Sequence, residues 1–134
     1  MGKVQKKMVS LRKPGTKEKK SWGEVLILHE TESYGVYLLR IKPGASIPKH
    51  YHLRMEESEI VVTKGLMRNG KKVIPFKTKT WKKKEIHDYV NNTNTYQEIL
   101  CVNAPPFDMG NEIEVAAPRQ SLVKLSSERK KRRS

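Results

Sequence analysis

The chain has 134 residues, enough for one domain with a hydrophobic core and too few for two ordinary ones. Its one cysteine, Cys101, excludes an intrachain disulfide and a cysteine-based zinc cluster, so any bound metal must be held by histidine and carboxylate. The formal net charge of +14 suggests a polyanion partner, but it is unevenly placed: residues 1–20 hold 8 basic and 1 acidic side chains, 119–134 hold 7 and 1, and 21–118 hold 13 and 12.

Residues 1–20 show no sustained apolar period and read as a flexible basic arm. No apolar segment follows the basic start, so a secretory signal is not expected, and the longest apolar runs, such as residues 25–28, fall far short of the roughly 20 needed to cross a bilayer. A cytoplasmic protein is the simplest reading. Residues 21–118 predict strands over 24–30, 35–42, 47–52, 58–64, 71–76, 85–91, 96–103 and 111–116, at the spacing of about 8 to 12 residues that marks a sandwich or barrel. Turn chemistry separates them at "KPGA" (42–45), "RNGK" (68–71) and "NNTN" (91–94), and Asn69-Gly70 suits a hairpin turn with positive φ. No stretch repeats at a helical period. Trp22, Tyr34, Tyr37, Phe76, Trp81 and Tyr89 read as core or interface packing, and Cys101 as a small buried hydrophobe. Residues 119–134 read as a disordered tail whose "RKKRR" resembles a nuclear-import patch.

The stretch "KHYHLRMEESE" (49–59) carries the chemistry. Side chains alternate along a strand, so His50 and His52 project to one side, one pleat apart. After a turn, Glu57 or Glu59 can swing back toward them, and His87 lies on a later strand that can sit alongside. Three neutral imidazoles and one carboxylate suit a single divalent transition ion, Mn, Fe, Co, Ni, Cu or Zn, and leave positions open for substrate. A lone His-x-His pair is as well explained by a polar strand face. The combination with His87 and a glutamate favours a metal site, and His29 falls outside it.

With these residues in place the chain resembles the cupins, whose fold is an all-β double-stranded β-helix, or jelly-roll barrel. Gly44, five residues, His50-x-His52, four residues and Glu57 match their first motif, with one residue too many before Gly65; "KKKEIHDYVN" keeps His87 and Asn91 of the second, with Lys82 and Lys84 where proline and glycine are usual. The resemblance implies His50, His52, Glu57 and His87 as metal ligands, a bulge near Thr63 and Lys64 that absorbs the extra residue, and a changed loop at the lysines. Glu59 competes with Glu57 as ligand; otherwise it is a second acid for proton transfer or a rim residue bonded to Arg54. "RIKPGASIPKHYHLRMEESEIVV" is similar to the cupin part of type II mannose-6-phosphate isomerases. That likeness implies sugar-phosphate isomerisation as the leading activity, with Arg40, Lys49 and Arg54 as candidates to hold an anion.

A mononuclear metal site would equally serve dioxygen chemistry. A non-enzymatic alternative is a metal- or ligand-binding module whose basic tails contact nucleic acid without reading its sequence. Cupins commonly pair through sheet edges, so a homodimer through the strand near residues 22–30 is an expectation of the same resemblance.

Overall fold

A computed structural model describes residues 11–52 and 56–106, and the backbone of 112–114. Eleven strands are described: β1 (Lys17–Lys20), β2 (Gly23–Glu30), β3 (Gly35–Ile41), β4 (Ser46–His52), β5 (Glu56–Val61), β6 (Leu66–Arg68), β7 (Lys71–Lys72), β8 (Thr78–Trp81), β9 (His87–Asn91), β10 (Gln97–Ala104) and β11 (Glu112–Glu114). They form two antiparallel sheets, ordered β1-β2-β3-β10-β5-β8 and β11-β4-β9-β6-β7. The all-β expectation holds: no described residue is helical, and no described helix could cross a membrane.

Alternation sets the inward rows. Val25 and Ile27 on β2, Tyr37 and Ile41 on β3, Val61 on β5, and Ile99 and Cys101 on β10 close the core together with Leu66, Val73 and Tyr89. The rows change character along their length. On β5 and β10 the paired positions run from Val61 with Ile99, through Glu59 with Cys101, to Glu57 with Asn103. One end of the interior is therefore apolar and the other is lined by buried polar groups.

On β4 the alternation is broken. Ile47 pairs with Tyr89 and His50 with His87, so three steps along β4 oppose two along β9. The extra residue, at Pro48 and Lys49, is a bulge that switches parity, so Ile47, His50 and His52 all face inward. Proline fits there because a bulge does not need its missing N–H.

Three differences from the sequence reading have local causes. Lys17–Lys20, expected within the flexible arm, pair with β2, and a chain with no apolar residue holds that place because Arg12 anchors it. The Arg12 guanidinium meets Glu18 and Glu30 at 2.5 Å each, and its backbone N–H donates to Glu30 Oε1 at 2.8 Å. The segments expected at 58–64 and 71–76 stop early, at Val61 and Lys72. Residues 62–65 bend away instead of bulging within a ladder: Thr63 donates to Gln97 Oε1, and Gly65 adopts φ +119° where a Cβ would meet Thr93 at 2.7 Å. β6 and β8 were not foreseen because three or four residues are too few to show a period. Of the aromatics expected to pack, Tyr37, Trp81 and Tyr89 are buried, whereas Tyr34 and Phe76 are exposed. Residues 1–10 and 115–134, which include half of the expected arm and all of the expected tail, lie outside the described residues.

Glu30 also accepts from the Tyr37 hydroxyl, so the Arg12 anchor reaches a side chain that lines the interior. Burial would push the Glu30 carboxyl up, but the hydrogen bonds from Arg12 and Tyr37 outweigh it and hold it below its ordinary value. Arg12→Ala, which leaves this carboxylate short of its cation, is expected to cost about 2 kcal/mol in urea unfolding at neutral pH. A depressed carboxyl stabilises the fold above its unfolded value of about 4.3 and stops doing so as pH falls through its folded value. The gap between wild type and Glu30→Gln should therefore be full at pH 7 and shrink below about 4.3; an unchanged gap at pH 3 would show that the anchor is not electrostatic.

Candidate metal centre

The polar end of the interior draws its residues from both sheets. Glu57 comes from β5, His50 and His52 follow the β4 bulge, and His87 opens β9. Each offers a ligand atom, and these atoms lie within 4.8 Å of one another. His87 Nε2 is 3.1 Å and His52 Nε2 3.4 Å from Glu57 Oε1.

The chain fixes how these groups present themselves. His50 Nδ1 lies 2.8 Å from the Pro48 carbonyl and His87 Nδ1 3.1 Å from that of Glu85. A carbonyl only accepts, so each Nδ1 carries the hydrogen, and Nε2 is the ring atom left for a ligand. Both carbonyls belong to the residue two places back, which makes the orientation a property of the local chain. Trp81 stacks on His87 with ring centres 4.3 Å apart and planes 10° from parallel. The Asn103 amide, turned with its nitrogen toward the carboxylate, donates to Glu57 Oε2 at 3.1 Å. Hydrogen bonds of this kind commonly orient metal ligands.

Electrostatics divide the two glutamates. Burial raises the Glu57 carboxyl, but hydrogen bonds and charge from His52 and His87 overcome it and hold it at about 2. Burial opposes the charged form of His87, yet Glu57 and Glu59 raise its pKa, which marks a negative potential at the place where a cation would sit. Glu59, two residues along the same strand, is pushed up to about 8 by burial and by the Glu57 charge. Its Oε1 accepts from the Tyr89 hydroxyl and, at 2.7 Å, from Trp81 Nε1, while the Cys101 thiol lies 3.6 Å from Oε2. Burial first and Glu59 second also raise the Tyr89 hydroxyl and the Cys101 thiol.

A cavity of about 210 Å³ adjoins these groups. His50, His52, Glu57, Glu59, Tyr89 and Asn103 form its polar wall; Trp22, Val25, Leu39, Ile47 and Pro48 form an apolar one, and Lys20 and Ser21 complete it. The structure thus brings His50, His52, Glu57 and His87 together and sets Glu59 beside them. It does not bring in the expected anion holders. Arg40 faces outward, 2.8 Å from Glu98 and 3.0 Å from Glu24, with its guanidinium over Tyr96, because its neighbours Leu39 and Ile41 take the inward positions. Lys49 sits in the bulge and pairs with Asp88 at 3.1 Å. Arg54 lies outside the described residues.

Lys84 takes φ +67°, the conformation for which glycine is usual, and its N–H donates to the His52 carbonyl at 2.8 Å. Asn91 donates to the carbonyls of Ile41, Lys42 and Thr95, which ties down the far end of the strand that carries His87. The sequence reading missed Asn103, Trp81 and Tyr89 as neighbours of the site. Asn103 could have been found as a polar residue in the inward parity of Ile99 and Cys101.

No protein-family model matches this sequence, and no curated protein matches it. Solved structures do. A double-stranded β-helix protein from Klebsiella pneumoniae aligns with a TM-score of 0.54 at 18% identity over 72% of this chain and 78% of its own. The fold is a double-stranded β-helix, the one that the cupin resemblance implies. The polyketide cyclase RemF from Streptomyces resistomycificus aligns at 0.61 and 17% identity over 89% of this chain and 94% of its own. The capsular polysaccharide assembling protein CapF from Staphylococcus aureus aligns at 0.64 and 18% identity, over 79% of this chain but 34% of CapF. In this fold the donor set, the two fixed tautomers and the negative potential all fit one divalent transition ion.

Elemental analysis after reconstitution should give about one equivalent of such an ion. Glu57→Gln is expected to weaken binding at least 100-fold and Asn103→Ala about 10-fold, whereas Glu59→Gln should keep the ion. If Glu59→Gln loses it and Glu57→Gln does not, the two carboxylates are assigned the wrong way round.

Proposed function

We propose that this cupin is a metal-dependent enzyme that moves a proton on a small molecule held at the ion through a carbonyl or hydroxyl oxygen. The observation that carries this reading is Glu59, a buried carboxyl on the cavity wall, outside the four-residue ligand set and held by Tyr89 and Trp81. His50, His52, Glu57 and His87 would hold the ion, which supplies Lewis-acid polarisation of that oxygen. Glu59 Oε1 is engaged by two strong donors and Oε2 faces a weak thiol donor, so Oε2 is the atom that carries the proton. In its ionised form it would take the proton as the C–H bond beside the carbonyl breaks and return it as a C–H bond forms on the former carbonyl carbon, while the hydroxyl proton passes from one oxygen to the other, so atoms and electrons balance without an external reactant. The apolar wall of Trp22, Val25, Leu39 and Ile47 excludes water and packs the body of the molecule.

Sugar-phosphate isomerisation falls within this class, with Trp22 as a face for the sugar and Lys20 as the cation on the cavity wall. The similar structures do not choose the substrate, because a polyketide cyclase and a protein of capsular polysaccharide assembly handle unlike molecules. Dioxygen chemistry at the same ion would give Glu59 no part, and the same holds for a purely ligand-binding module.

A thermal-shift screen of the metal-loaded protein with sugar phosphates, hydroxy acids and hydroxyketones is expected to find a stabilising class whose effect disappears in His50→Ala. With such a ligand in D2O, wild type should catalyse C–H exchange seen by NMR, and Glu59→Gln should retain metal and ligand but slow exchange at least 100-fold. Exchange that survives Glu59→Gln unchanged would remove the proton-transfer reading and leave the metal site standing.

A further inference from the structure

The near-neutral charge of the barrel conceals a division. Residues 60–84 hold nine of the 13 basic side chains of the 21–118 segment and no acidic one. The topology sets three of them around one loop. β7 ends the five-stranded sheet and β8 ends the six-stranded sheet, and the loop 73–77 joins the two, so it stands where both sheets run out on one side of the barrel. Lys71, Lys72 and Lys77 flank this loop, all exposed, and among the described residues none of them meets a carboxylate.

At the tip, Phe76 is 72% and Ile74 64% exposed, the two highest values among the exposed large hydrophobic residues described. A loose loop does not account for this. The loop is pinned at both ends, by Val73 N–H to the Leu66 carbonyl and Phe76 N–H to the Val61 carbonyl, each at 2.9 Å, and Val73 is buried. Phe76 itself is held at φ +65°, a conformation that bulky residues avoid and that persists where the surroundings impose it. The backbone presents an aromatic and an aliphatic side chain outward, between flanking exposed lysines.

We propose that this tip docks the barrel on an anionic lipid bilayer, with Ile74 and Phe76 entering the headgroup boundary and Lys71, Lys72 and Lys77 meeting the acidic headgroups. Lysines alone suit any polyanion; the apolar pair decides between partners. A bilayer rewards an inserted isoleucine, whereas a phosphate backbone offers it nothing. The segment has eight lysines and one arginine, Arg68, which is bonded to Tyr89. It therefore lacks the free guanidinium groups that read bases, and its lysines supply the diffuse attraction that anionic leaflets exert on basic patches.

The test is co-sedimentation of the full chain with vesicles of phosphatidylcholine alone or of phosphatidylcholine and phosphatidylserine in equal parts. Wild type is expected to partition onto the mixed vesicles, to ignore the neutral ones and to be released by high salt. The double variant Ile74→Ser with Phe76→Asn should lower partitioning about tenfold at an unchanged melting temperature, since asparagine tolerates positive φ. Lys71→Gln with Lys72→Gln and Lys77→Gln should lower it at least as much. If the double variant partitions like wild type, the basic termini do the binding and the proposal is overturned. It is equally overturned if wild type leaves vesicles alone but binds a single-stranded oligonucleotide that the same substitutions release.

Discussion

The contact on which the molecule turns is the buried carboxylate of Glu57 against the imidazoles of His52 and His87. Glu57 belongs to the six-stranded sheet and both histidines to the five-stranded one, so this ionic contact crosses the interior of the barrel at its polar end. Moving such a group out of water is costly, and attraction offsets that cost only where geometry and hydrogen bonding are good. Here Asn103 takes the second carboxylate oxygen, backbone carbonyls take the Nδ1 hydrogens of His50 and His87, and Trp81 covers one face of His87. Most polar groups at this end are thus held by the chain itself, and a cation would enter it in place of protons.

Two glutamates one pleat apart on β5 end in opposite electrostatic states, and their neighbours explain why. Glu57 looks across to histidines, which favour its charge. Glu59 looks toward Tyr89, Trp81 and Cys101, none of which is a cation, and feels the charge of Glu57 beside it. A pair of acids whose surroundings separate their protonation is the arrangement from which ligand and proton carrier can be assigned by structure. The alternation of a single strand supplies both residues to one cavity.

This division also marks how far the sequence could be read. The spacing of His50, His52 and His87 with a glutamate was legible because each lies on a strand long enough to show its parity, and the strand pattern was clear wherever four or more apolar residues alternate. Which glutamate faces the histidines was not legible, since it depends on what lies opposite each one across the barrel. The β4 bulge at Pro48 and Lys49 was hidden too: strict alternation places Ile47 and His50 on opposite faces, and only the pairing with β9 shows that both point inward. Arg40 looked like an anion holder by charge alone, but its parity and its partners Glu24 and Glu98 turn it outward. β1 and Phe76 failed for a related reason, because a tertiary anchor at Arg12 and a backbone pinned at Val61 override what composition suggests.

The placement of the basic edge relative to the cavity follows from the same topology. In the six-stranded sheet β1 and β8 are the two outer strands, with four strands between them. The cavity extends to Lys20, Ser21 and Trp22 at the β1–β2 turn, whereas Ile74 and Phe76 stand beyond the start of β8. At about 4.8 Å per strand, five steps put roughly 24 Å between the two edges. The cavity also reaches Glu57 and Glu59 on β5, which pair with Trp81 and Lys79 of β8, so only its end at Lys20, Ser21 and Trp22 is set apart from the basic edge. A surface that meets the β8 edge leaves the β1–β2 turn clear. Ile74, Phe76, Lys71, Lys72 and Lys77 can therefore be substituted without removing a side chain from the cavity wall.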